Sequence, residues 1–131
     1  MDRYSIMGFF DEVLAVPLLD EVVRVRTIFS GAIIGDRGKI YDNLGSAVLS
    51  DVCITGESLS FTKTYERPAQ HLAARLLDED GNSPPIRYRF SRRRGSAWMG
   101  EYSTDSGHSG EVYCVLKKIP QNFPSFPLEG D

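Results

Sequence analysis

An all-β fold, an antiparallel up-and-down barrel of about eight strands, is what this sequence predicts, and three observations lead there. Short segments alternate large apolar side chains with polar ones, the period of a half-buried strand. Turn signals rich in Gly, Asp, Asn and Ser interrupt them roughly every ten residues. The intervals between them leave no room for the crossover helices that a parallel sheet requires.

The clearest strand is Leu59-Ser60-Phe61-Thr62-Lys63-Thr64-Tyr65, in which large side chains alternate with Ser and Thr. Ile86-Arg87-Tyr88-Arg89-Phe90 repeats the pattern, as does Val23-Arg24-Val25-Arg26-Thr27-Ile28-Phe29, and in both the Arg face is expected to meet water. Further strand-compatible runs are Ala47 to Thr55, His71 to Leu77, Ala97 to Tyr102 and Glu111 to Ile119, with a weaker one at Lys39 to Leu44. Between them stand the turn signals Gly35-Asp36-Arg37-Gly38, Asp42-Asn43-Leu44-Gly45, Thr55-Gly56-Glu57, Asp78-Glu79-Asp80-Gly81-Asn82, Arg94-Gly95-Ser96 and Ser106-Gly107-His108-Ser109-Gly110.

The chain ends read differently. Gly8 to Glu21 carries Phe9, Phe10, Val13 and Leu14 at helical spacing before Pro17, which predicts a short helix or a cover over one barrel mouth. The Pro-rich end, with Phe123 and Phe126, cannot donate to a strand ladder at its prolines and reads as an extended tail. The expected organisation is one domain: a cover segment over residues 1–21, the barrel over 22–119, and the tail over 120–131.

At 131 residues, 41% hydrophobic and 25% charged, the chain has the size and composition of a globular domain with one core. The net charge of -3 argues against general affinity for nucleic acid or anionic membrane. The first residues lack a basic segment followed by a long apolar run, and no stretch approaches the roughly 18 apolar residues of a membrane span, so a soluble, cytoplasmic protein is expected. Cys53 and Cys114 each lie in an apolar strand-like run and read as buried thiols, a disulfide between them being the alternative.

Three groups of residues resemble a known family. The turns at Asp36, Gly38, Asp42 and Gly45, the Leu-x-Phe-Thr-Lys-x-Tyr strand at Leu59 to Tyr65, and Gly-x-x-Trp-x-Gly-x-Tyr at Gly95, Trp98, Gly100 and Tyr102 make Gly35 to Ile119 similar to the small calycin-like barrels, the lipocalin, fatty-acid-binding and avidin superfamily, and to a bacterial branch of it in particular. The resemblance implies a calycin-like barrel and brings no activity with it. Trp98 to Tyr102 also looks like an avidin-type strand whose Trp packs on biotin, but such sites use several tryptophans and this chain has 1. The early Gly-x-Trp of lipocalins is missing as well.

Lys63 shares a face with Leu59, Phe61 and Tyr65. Three fates are open to it: its stem reaches solvent, it pairs with a carboxylate, or its ammonium faces an apolar cavity and orients an acidic or carbonyl-bearing ligand. On the cavity reading the candidate ligand-binding residues are Phe61, Lys63, Tyr65, Tyr88, Trp98 and Tyr102. Trp98, Gly100 and Tyr102 fall on one face, either as an aromatic wall with room at Gly100 or as plain core. Arg92-Arg93-Arg94 with Arg87 and Arg89 reads as a solvated hairpin, since the neighbouring aromatics face the other way. Asp78 to Asn82 lacks the spaced ligands of a calcium loop, and His71 and His108 lack partners for zinc. No nucleophile elbow, phosphate loop or dinucleotide fingerprint is present, so no catalytic residue, metal or cofactor is expected. The leading expectation is small apolar-ligand binding or sensing. The alternative is a filled barrel acting as a structural or interaction module, with another protein or a second copy as partner.

Overall fold

The computed structural model describes residues 2–16, 21–68, 84–105, 107 and 109–120. These form eight antiparallel strands: β1 (Arg3–Val16), β2 (Glu21–Ile34), β3 (Arg37–Asp42), β4 (Gly45–Ile54), β5 (Ser58–Pro68), β6 (Ile86–Arg94), β7 (Ala97–Thr104) and β8 (Ser109–Ile119). Each pairs with its neighbours in sequence, and β1 pairs with β8, which closes the barrel. The expected all-β, up-and-down architecture is therefore the observed one.

Hairpin turns stand where the turn chemistry places them. Gly35 at φ 62° and Gly95 at φ 56° take the left-handed conformation in the β2–β3 and β6–β7 turns, which a residue with a Cβ adopts only under strain. In the β4–β5 turn the Thr55 hydroxyl accepts from Ser58 N at 3.0 Å.

The N-terminal segment departs from expectation. Phe9 and Phe10 belong to β1, a 14-residue strand, and no helix or cover forms over residues 3–16. The barrel accordingly begins at Arg3 rather than at residue 22. Aromatic and β-branched residues suit a strand as well as an apolar helix face, and placing this segment between β2 and β8 removes two open sheet edges at once. The expected His71 to Leu77 strand, the Asp78 to Asn82 turn and the tail from residue 121 lie outside the described residues. Among the described residues β1 is one of the eight strands that close the barrel.

β1 and β2 also exceed the barrel wall. They pair with each other from Arg3↔Ile34 to Val16↔Glu21, whereas β1 meets β8 only along residues 3–10 and β2 meets β3 only along 29–34. Residues 11–16 and 21–28 thus continue as a two-stranded ribbon beyond one end of the barrel. Arg26 fastens the ribbon at its base: Nε and Nη2 donate to Asp11 at 2.9 and 3.2 Å, and the guanidinium lies 4.1 Å over the Phe9 ring. The Arg26 hydrogen bond holds the Asp11 carboxyl below its ordinary pKa.

A bulge in β4 corrects the expectation for Cys53. Between Ser50 and Cys53 the register with β5 shifts, and Asp51 adopts φ 53°. The inward parity set by Ala47 and Leu49 passes to Val52, so Cys53 turns outward and is exposed. Cys114 stays buried, and both thiols are free. Burial pushes the Cys114 thiol up to about 12.

Candidate functional site

The interior is apolar over most of its length, with Ile6, Ile33, Ile40, Leu49, Leu59 and Val112 fully buried. Toward the ribbon end its character changes. Lys63 on β5 is 1% exposed, and the side chain of Asp42 at the end of β3 is 0% exposed. Lys63 Nζ donates to Asp42 Oδ2 at 2.9 Å, to Tyr65 Oη at 2.8 Å and to Tyr88 Oη at 3.4 Å. Tyr65 Oη donates in turn to the same Asp42 Oδ2 at 2.8 Å. The ammonium, with its three N–H donors, thus faces three protein oxygens in a low-dielectric interior.

Local structure explains how Asp42 is held. It is the first residue of the β3–β4 turn, and its Oδ1 accepts from Leu44 N at 2.7 Å and from Gly45 N at 3.1 Å. One carboxylate oxygen therefore shapes the turn while the other enters the barrel. On β5, the strand period of two sends Phe61, Lys63 and Tyr65 inward together.

Aromatic rings enclose the charge pair. Lys63 Nζ lies 4.4 Å from the Tyr65 ring centroid, 4.9 Å from Phe10 and 5.6 Å from Tyr88. Behind it the rings continue: Phe61 to Tyr88 at 5.0 Å, Tyr88 to Tyr102 at 5.8 Å and Tyr102 to Phe10 at 5.6 Å. Tyr102 Oη donates to the Asp11 carbonyl at 3.2 Å and so ties this ring set to the ribbon base.

Phe61, Lys63, Tyr65, Tyr88 and Tyr102 are therefore brought together as one constellation, and all are buried. Trp98 is buried too, but it lies four residues from Tyr102 on β7, roughly 13 Å along the strand. It pairs in register with Arg92 and Cys114 near the opposite end of the barrel. Asp42 and Phe10 were missed as site residues. Asp42 carries a strong turn signature that accounts for it without any second role, and Phe10 fell in the segment expected to be a helix.

The Arg-rich hairpin is solvent-exposed: Arg87 and Arg89 alternate with the buried Tyr88 and Phe90, and Arg92 to Arg94 lie beyond the point where that alternation ends. Arg87 pairs with Asp105 at 2.6 Å, and Arg92 donates to the Gly95 carbonyl at 2.7 Å. On the outer face of β6, β7 and β8 a groove of about 480 Å³ runs between Arg87, Arg89 and Arg93 on one side and Glu101 and Glu111 on the other. Its walls carry both signs of charge. Among the described residues no group of three or more His, Cys, Asp and Glu side chains is placed to hold a metal ion, and no helix is long and apolar enough to cross a membrane. His71 and His108 lie outside the described residues.

Comparison with protein-family models and with curated proteins returns no match.

Proposed function

We propose that the barrel binds a small, largely apolar molecule whose polar end reaches the Asp42–Lys63–Tyr65–Tyr88 constellation. The observation that carries this is the convergence of an ion pair and two phenols in an interior that is otherwise largely apolar, Thr27 being a further buried polar side chain among the described residues. Burying an ion pair is often no better for stability than well-packed apolar residues of similar volume, so fold stability alone is a weak reason for four polar groups at one place. An apolar interior with a few convergent polar groups is the usual composition of a ligand site, the rings supplying area and the polar groups orientation. The constellation lies toward the end where the ribbon projects, and ligand entry requires that end to open, because Lys63 and Asp42 are sealed from solvent.

A second reading rests on a different observation. On the outer face of the barrel, Met7 is 62% exposed and pairs across the ladder with Val115, which is 39% exposed. Next to them, Phe9 packs on Tyr113 with ring centroids 5.0 Å apart and pairs with Ile28, which is 68% exposed. Such a contiguous apolar patch suits contact with another protein or a second copy, with the barrel interior filled by its own rings.

Native mass spectrometry of the protein purified from its source cells separates the two. A stoichiometric extra small mass on the protein is the expected result. A bare protein at dimer mass would overturn the ligand reading in favour of the patch.

A further inference from the structure

We infer that the ligand's polar end is an uncharged oxygen, a carbonyl or hydroxyl, and that the site discriminates against free carboxylates; this rests on the ligand reading above. The reason lies in the partner of Lys63. A buried ammonium facing an open cavity would favour an anion, and Lys63 viewed alone on its strand leaves an acidic or a carbonyl-bearing ligand open. Here the counter-ion is built in. Asp42 Oδ2 stands 2.9 Å from Lys63 Nζ and 2.8 Å from Tyr65 Oη, so the pair is neutral as a unit.

Asp42 does not yield this place easily. Its other oxygen is engaged by Leu44 N and Gly45 N in the β3–β4 turn, so swinging the carboxylate away from Lys63 would also break the turn. A ligand carboxylate would therefore have to lose its hydration and come to rest beside a second anion in a low-dielectric interior, and both effects oppose binding. An uncharged oxygen meets neither penalty. It can accept from Lys63 Nζ in place of Tyr88 Oη, whose 3.4 Å separation from that nitrogen is the longest in the constellation and therefore the weakest to replace. The aromatic rings of Phe10, Phe61 and Tyr102 suit an apolar body behind that oxygen.

Asp42 is thus a specificity-determining residue, and Asp42→Asn is the informative change. Asn keeps an Oδ1 for the two turn amides and removes only the charge. Calorimetric titration with straight-chain 2-ketones of six to twelve carbons and with the carboxylates of equal length, at neutral pH, reads the outcome. The intact protein is expected to bind its best ketone at least tenfold more tightly than the matching carboxylate, and D42N is expected to reverse that order. Carboxylates bound more tightly by the intact protein would overturn the inference while leaving the ligand reading in place. Reversal failing in a D42N protein with native near-ultraviolet dichroism would overturn the role of Asp42. If D42N does not fold, the preference of the intact protein decides alone. Binding of neither series removes the ligand reading, and this inference goes with it.

Discussion

Asp42 and Lys63 meet across 21 positions of the chain, and each is costly to bury without the other. Lys63→Met is expected to lower stability by about 3–5 kcal/mol, because it strands the Asp42 carboxylate in the interior. The double change Lys63→Met with Asp42→Leu should recover part of that loss, though Leu forfeits the turn bonds to Leu44 and Gly45. Urea unfolding of the single and double variants measures both quantities, and a Lys63→Met protein as stable as the parent would mean that the ion pair is not buried as described. The two thiols give a second residue-scale contrast. Cys53 is exposed and should be alkylated by iodoacetamide at pH 8 in the folded protein, while Cys114 should react only on unfolding. Because burial raises the Cys114 pKa to about 12, the thiol's contribution to stability is full below its unfolded value of roughly 8.5 and is lost as pH rises toward the folded one.

At the scale of elements, the curvature that closes the barrel depends on places where a side chain has no room. At Gly100 an added Cβ would run into the backbone of Arg89 and Phe90 on β6, and at Gly8 into the backbone of Tyr113 and Cys114 on β8. Backbone cannot yield as a flexible side chain does, so β7 and β6 would have to separate to admit a methyl group. Gly100→Ala is therefore expected to cost about 1–3 kcal/mol, as overpacking of a tight site does, even though Ala is ordinarily the better residue within an element. Thermal unfolding checks it, and an unchanged or raised midpoint would contradict the close approach. In the sequence the alternation of Trp98, Gly100 and Tyr102 places them on one face, as an aromatic wall with room at Gly100 or as plain core, and only the neighbouring strand shows that the space at Gly100 is taken by the backbone of β6.

For the whole molecule, closure joins the two ends of the described chain. β1 and β8 pair through Arg3↔Ile119, the largest sequence separation of any ladder in the barrel, so this ladder carries the largest loop-closure cost. A segment acting as a cover would be dispensable; a closing strand is not. Removing residues 1–16 should abolish cooperative unfolding, because β2 and β8 would be left as unpaired edges and Phe29 would lose its stacking on Phe10. A truncated protein that melts in one sharp transition near the parent's midpoint would show that β1 is peripheral. The proposed ligand binding and the alternative self-association would likewise require the assembled barrel, since one draws on its interior and the other on an outer face that spans β8, β1 and β2.

Period-two alternation, turn chemistry and β-compatible side chains are local properties, and from them alone followed an antiparallel barrel, the hairpin turns at Gly35, Asn43 and Gly95, and the inward face that carries Phe61, Lys63, Tyr65, Tyr88 and Tyr102. Three matters depended on which strand lies beside which. The first segment became a strand because β2 and β8 offered edges to it. Cys53 turned outward because one bulge reversed the parity of β4. Lys63 found its counter-ion in a turn residue, because barrel curvature carries the end of β3 across to the inward face of β5. Alternation along a strand tells two faces apart, but register and curvature decide what those faces meet, and both arise only when the sheet closes.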